Sequence, residues 1–323
     1  MPPITYIDIQ RARARLAPHF APSPVRHYPL LDALVGHGIR VLIKHENHLP
    51  VNTFKVRNAT SALTALSAEQ AARGVVAAST GNHGQGLAWA GARLGIPVTI
   101  CVPEGNNPDK NAVIRSFGAR LIETGTTYDA AAAACAELAA CDGLTLVHST
   151  NNADVIAGAG TMSAEFLEQA PELDALIFAL GGGSQAVGAI VARDAIKPSL
   201  QVFAVQSHGA PAQHHSWHDG QTRAGVDANT FAEGIATGST YELTFDTLRN
   251  GLTDFVLVTE DAIAQAVRDL LRITHNLAEG AGAAGLAGLR ALSSRLAGKT
   301  VGIVLCGGNL DVARLREILA DGE

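Results

Sequence analysis

The chain has 323 residues, 47% of them hydrophobic, with a formal net charge of −6 and no block of lysine or arginine. That size suits a globular protein with room for two cores, and the acidic balance excludes a nucleic-acid backbone as partner. No apolar run approaches the ~18 residues that span a membrane, the first residues lack the pattern of a secretion signal, and Cys101, Cys135, Cys141 and Cys306 show neither metal nor disulfide spacing, so a reducing cytoplasm is expected.

Short apolar runs alternate with longer alanine-rich segments. Val41 to Lys44 reads as a strand. It leads through His45-Glu46-Asn47-His48, one residue short of the zinc-protease H-E-x-x-H spacing, into a loop that carries Lys55. A helix over Val56 to Leu66 follows, then a strand Gly74 to Ala78, a helix Gln85 to Leu94 and a strand Val98 to Val102. Next come a helix Lys110 to Phe117, a strand Arg120 to Ile122, a helix Tyr128 to Ala140 and a strand Leu144 to His148. The helix Asp154 to Ala170 precedes strands Ala175 to Leu180 and Gln201 to Val205. The stretch holding His208, His214, His215 and His218 reads as a solvated loop and not a metal site. Helices Asp261 to His275 and Ala283 to Leu296 then lead to a last strand, Val301 to Leu305. Most strands lack period-2 alternation, as strands buried on both faces of a parallel sheet do. The alternation predicts right-handed crossovers and open α/β sheets, in two groups of roughly 49–148 and 149 to the end.

Four turns fall at predicted strand ends, where open α/β sheets place ligands. Gly181-Gly182-Gly183-Ser184 fits G-x-G-x-x-A with Ala186 last. A dinucleotide site also needs an acid at the end of the next strand, and Gln206 is neutral there. No Gly-Lys-Ser/Thr follows either, so what remains is a generic cradle of backbone N–H groups at a helix start, suited to a phosphate. The turn Ser79-Thr80-Gly81-Asn82-His83 opens a helix in a way that suits a carboxylate. Cys306-Gly307-Gly308-Asn309 ends the last strand, and Asn52-Thr53-Phe54-Lys55-Val56-Arg57 holds an amine just before a helix. A lysine paired with a phosphate cradle points to an aldehyde cofactor that carries a phosphate.

Together these four motifs resemble the fold type II pyridoxal-phosphate enzymes, and most closely the threonine/serine dehydratases and the related serine racemases. Asn106-Asn107-Pro108-Asp109-Lys110, Val155 to Thr161, Ala232 to Ala236 and Glu279 to Ala283 extend the match over nearly the whole chain. The resemblance implies a tryptophan synthase β-like architecture of two open, mostly parallel twisted sheets with helices on both faces. It implies a small domain, 49–148, inserted into a large cofactor-binding domain, 1–48 plus 149–323, and a homodimer. Pyridoxal 5'-phosphate is the implied cofactor. Lys55 would form the Schiff base and remove the Cα proton, with Phe54 beside the ring and Asn82 bonded to the ring hydroxyl. Gly181, Gly182, Gly183 and Ser184 would hold the phosphate, and Cys306 would face the pyridine nitrogen. Ser79, Thr80, Gly81, Asn82 and His83 would take the substrate carboxylate. The implied reaction is loss of the β-hydroxyl of threonine or serine, giving a 2-oxo acid and ammonia. The alternatives are a dehydratase for phenylserine or 3-hydroxyaspartate, a serine racemase with Thr80 as the opposite-face acid, and a silent binder of the cofactor or an amino acid. Asn52, Thr53, Asn58 and Ser184 depart from the usual Gly, Ser, Gly and Gly, which implies a reshaped pocket. With Gln206 and Ala212 at the acidic positions of a divalent-cation site, no metal is expected.

Overall fold

Strands and helices alternate along the computed structural model, which describes residues 2–320. Ten strands among the described residues build two sheets: β1 (Val25–His27), β2 (Arg40–His45), β3 (Val75–Ala78), β4 (Val98–Val102), β5 (Arg120–Glu123), β6 (Thr145–Leu146), β7 (Ala175–Ala179), β8 (Gln201–Ser207), β9 (Asp254–Val258) and β10 (Thr300–Leu305). The larger sheet runs β1-β2-β10-β7-β8-β9. Only β1 is antiparallel to its neighbour, and Val301 of β10 lies opposite both Val41 and Ala175. The smaller sheet, β5-β4-β3-β6, is wholly parallel. Every residue of β4 and β7 is buried, which is why neither strand alternates polar with apolar: helices cover both faces.

Each sheet has its own core. Phe166, Phe178 and Phe203 lie in the larger one, and Val75, Leu87 and Ile100 in the smaller. The helix Lys55–Thr64 lies between them: Phe54, just before it, packs into the first core, and Ala59, Ala62 and Leu63 pack into the second. Small residues allow that position. A Cβ on Gly86 would stand 3.0 Å from the Lys55 carbonyl oxygen, and one on Gly158 2.6 Å from that of Arg57. Helices Asn82–Leu94 and Ala153–Gln169 therefore close on the lysine's helix from two sides.

A buried ion cluster anchors the same helix. Arg57 Nε donates to Glu46 Oε2 at 2.7 Å, and Nη2 to Glu46 Oε1 at 2.9 Å. Nη1 and Nη2 reach Glu165 at 3.1 and 3.0 Å. Lys44 Nζ, also buried, donates to Glu165 and to the Ser23 carbonyl. Burial opposes the charge on Arg57, but Glu46 and Glu165 outweigh it and hold the guanidinium firmly protonated. Two cations and two carboxylates balance, so no buried charge is left uncompensated.

The sequence reading missed β1, a three-residue edge strand that is mostly exposed, and β9, a half-buried edge strand between helices. The strand expected over Leu144 to His148 narrows to the two residues of β6. The histidine-rich stretch is a loop only at His208, which lies in the turn after β8. His214, His215 and His218 lie on the helix Ala212–Asp219, ended by Gly220 in the left-handed conformation. His214 and His218, one turn apart, bring their ring centroids to 4.4 Å, and His214 packs on Phe255 of β9. The apolar contact came from a strand that the sequence did not reveal. Among the described residues, no helix is long and apolar enough to cross a membrane.

Candidate active site

A cavity of about 790 Å³ opens where strand C-termini of the two sheets face each other. Phe54, Lys55, Ser79, Thr80, Gly81, Asn82, His83, Gly181, Gly182, Gly183, Ser184 and Cys306 all line it. Residues read from four separate turns thus meet at one place.

Lys55 is held against the end of β10. Thr53 bridges Gly307, the Phe54 amide donates to the Cys306 carbonyl at 3.0 Å, and the Gly308 amide donates to that of Asn52 at 3.0 Å. Just upstream, Val51 and Asn52 have φ of 54° and 53°. For a β-branched valine that left-handed conformation is strained, at roughly 1–3 kcal/mol. Asn309 Nδ2 donates to the Val51 carbonyl at 2.9 Å and keeps the bend in place. Burial pushes the Lys55 amine down to about 8, against the opposing pull of Cys306 and Glu279. Burial also drives the Cys306 thiol well above its ordinary range, with Glu279 adding to the shift, so it stays protonated. The site therefore offers a readily neutralised amine beside a neutral thiol.

The phosphate cradle is built from backbone. Gly183, at φ +97°, caps the helix Ser184–Ile196. The first bond of that helix is Val187 N to Gly183 O, so the amides of Ser184, Gln185 and Ala186 have no acceptor within it. The walls close tightly: a Cβ on Gly181 would lie 2.5 Å from the Gly234 carbonyl oxygen, and one on Gly182 1.9 Å from Thr150 Oγ1. Free amides at the positive end of a helix, a serine hydroxyl and a nearby desolvated amine fit a phosphorylated aldehyde such as pyridoxal phosphate.

The turn after β3 is organised by its own side chains. Ser79 Oγ accepts from the Gly84 amide at 2.9 Å and from that of Gly81 at 3.3 Å, and so shapes the loop. Asn82 Nδ2 donates to Glu279 Oε1 at 2.7 Å, while Asn82 Oδ1 accepts from Asn309 Nδ2 at 2.7 Å. His83 Nε2 lies 3.0 Å from the Val147 carbonyl and must carry the proton there, which leaves Nδ1, buried and unpartnered, as a bare acceptor. Burial, then the Lys55 charge, lowers His83 to about 3, so the ring is neutral. Its lone pair would repel a carboxylate, and the amides at the start of the helix Asn82–Leu94 are the better donors for one.

Several lining residues have roles that the sequence motifs did not assign. Glu279 is half-buried, its carboxyl raised by desolvation against the hydrogen bond from Asn82, and it accepts from the Asn309 amide at 3.2 Å. Lys110 Nζ reaches Glu233 Oε2 at 2.6 Å, joining the two sheets' sides across the cavity. Tyr128 and Tyr241 also line it. Tyr128 is exposed at the rim, and Tyr241 meets the His148 ring edge-on at 5.5 Å. His148 Nδ1 accepts from the Thr150 and Asn151 amides, both at 2.9 Å, which fixes the loop that presses on Gly182. No cluster of three or more His, Cys, Asp or Glu among the described residues is placed to hold a metal.

Comparison with known proteins identifies the family. A family model described as "Pyridoxal-phosphate dependent enzyme" matches residues 16–307. The L-threonine ammonia-lyase of Thermotoga maritima is 35% identical over 320 residues, covering 99% of this chain and 79% of that protein. Among solved structures, maize serine racemase superposes with a TM-score of 0.92 at 30% identity, covering 98% of this chain and 97% of its own. The processed form of threonine deaminase isoform 2 from Solanum lycopersicum gives 0.91 at 28% identity, covering 98% and 86%.

Proposed function

The chain belongs to the family of pyridoxal-phosphate dependent enzymes, and from that premise we propose that it is an ammonia-lyase that removes the β-hydroxyl of L-threonine or L-serine. The products are a 2-oxo acid and ammonia. The observation that carries this reading is the facing of a desolvated Lys55 amine, a protonated Cys306 thiol and the Gly181–Ser184 cradle across one cavity.

When bound, pyridoxal phosphate would supply an electron sink for the charge left by loss of the Cα proton. Lys55 would hold the cofactor and, as a neutral amine, would take that proton. Phe54 would wall the ring, the Asn82 amide, fixed by Glu279 and Asn309, would address the ring hydroxyl, and the cradle with Ser184 would bind the phosphate. Cys306, an uncharged thiol, brings no carboxylate to the ring nitrogen, a setting that suits prompt loss of a β-substituent. The amides of the Thr80–His83 turn take the substrate carboxylate. Water then hydrolyses the released enamine to the 2-oxo acid and ammonia.

The cavity's own charge narrows the substrate. Glu104, Asp129, Glu233, Glu279 and Asp311 line it against Lys55, Lys110 and Arg314, so a second carboxylate, as in 3-hydroxyaspartate, meets net repulsion. A second reading, serine racemization, has one observation in its favour: Thr80 lines the cavity, where its hydroxyl would serve as an acid to Cα.

We further propose that residues 1–48 with 149–323 form the large domain and 49–148 the small one, in a cytoplasmic homodimer. The domain division is supported by the sheets, since the six-stranded sheet draws its strands from the first set and the four-stranded sheet from the second. A panel of β-hydroxy amino acids of both configurations, read by 2-oxo acid and ammonia release, tests the activity. Release from L-threonine or L-serine is expected. No release from any member would overturn the lyase reading, and loss of optical activity without 2-oxo acid would favour the racemase.

A further inference from the structure

Two of the positions that break the family pattern prove to be neighbours. By the resemblance drawn from the sequence, Asn58 stands where a glycine would follow Lys-x-Arg, and Ser184 where the phosphate cradle would have its fourth glycine. Although 126 residues apart in sequence, Asn58 Nδ2 and Ser184 Oγ meet at 3.5 Å. Ser184 lines the cavity, and Asn58, with no exposed surface, stands behind it. Asn58 Oδ1 is buried with no partner. An unpartnered amide oxygen is costly, so the orientation of this amide needs a reason.

We propose that Asn58 is a positioning residue for the cofactor's phosphate: its amide N–H engages Ser184 Oγ as an acceptor and leaves the hydroxyl's one proton to point at the phosphate. A hydroxyl has a single proton and two lone pairs, and a phosphate dianion only accepts. If Ser184 gave its proton to Asn58 Oδ1, it would turn a lone pair toward the anion. With the amide NH₂ toward the cradle and the oxygen away, the amide dipole also favours the negative charge. The glycine pattern dispenses with both side chains and relies on backbone amides. In this chain the two form a coupled pair, and Ser184 without Asn58 loses its orientation. This inference rests on pyridoxal phosphate occupying the site.

The test titrates apoprotein with pyridoxal phosphate and, separately, with pyridoxal, which lacks the phosphate. Asn58→Gly and Ser184→Gly are each expected to weaken pyridoxal phosphate about five-fold while pyridoxal stays within about two-fold, the loss of one modest hydrogen bond. The double variant should bind no more weakly than Ser184→Gly alone, since Asn58 acts through Ser184. Should the glycine variant not fold, Asn58→Ala supplies the same comparison. Equal weakening of both ligands would mean a merely structural role and overturn the proposal, as would single effects that multiply in the double variant. Wild-type apoprotein that binds neither ligand would instead overturn the cofactor reading, and this proposal with it.

Discussion

Replacing Arg57 with methionine tests the anchoring of the lysine's helix. Arg57 makes four hydrogen bonds of 2.7–3.1 Å to Glu46 and Glu165, all three residues being buried. Without it, two buried carboxylates share one cation, Lys44. Breaking a buried pair from one side costs about 3–5 kcal/mol, and for a chain of this size that is a fall in Tm of about 4–7 °C. The pH dependence has a definite sign. In the wild type, burial opposes ionisation of Glu165, but Arg57 and Lys44 outweigh it and hold the carboxyl below its ordinary value. Its contribution is therefore present above the unfolded-state value of about 4.3 and is lost as pH falls through the lower folded value. In the variant, burial prevails and the folded value lies above the unfolded one, so the cost grows as pH rises. The gap in Tm between the two proteins, followed by circular dichroism, should be widest near about pH 8 and narrower near about pH 5. A gap of less than about 2 °C at both, or one that widens toward acid, would refute the reasoning.

Gly182→Ala drives a Cβ to 1.9 Å from Thr150 Oγ1. The cradle must shift, and pyridoxal phosphate affinity should fall about tenfold or more; unchanged affinity in an apoprotein titration would contradict the cradle assignment. Because the Lys55 amine is lowered to about 8, and only a neutral amine attacks an aldehyde, the reconstitution rate of apoprotein should rise with pH and level off just above that value. A rate still climbing steeply near the ordinary lysine value of about 10.4 would show that the amine is not desolvated.

The strands with undiluted apolar runs, β4, β7 and β10, were legible because burial on both faces leaves a signature in composition. The edge strands β1 and β9 were not, because half-exposed residues carry little hydrophobic contrast. Within the site, the phosphate cradle announced itself through glycine: Gly181 to Gly183 stand where the chain must bend or approach closely. Side chains whose value depends on distant partners did not. Glu279 matters because Asn82 and Asn309 converge on it, and Lys110 because Glu233 faces it; neither pairing has a local pattern. His83 shows the opposite case, since its sequence position pointed to a carboxylate but its ring is committed to Val147. Asn58 and Ser184 were readable as departures, yet their contact is a property of the fold.

The central claim is that one lysine of five carries the cofactor. Lys44 sits in the buried ion cluster, Lys110 is paired with Glu233, and Lys197 and Lys299 do not line the cavity, which leaves Lys55 facing both the cradle and Cys306. Borohydride reduction of the protein loaded with pyridoxal phosphate, followed by peptide mass mapping, tests this directly. A single phosphopyridoxyl adduct on the peptide containing Lys55, absent from Lys55→Ala, is predicted; an adduct on Lys44 or Lys110, or none at all, would contradict the account.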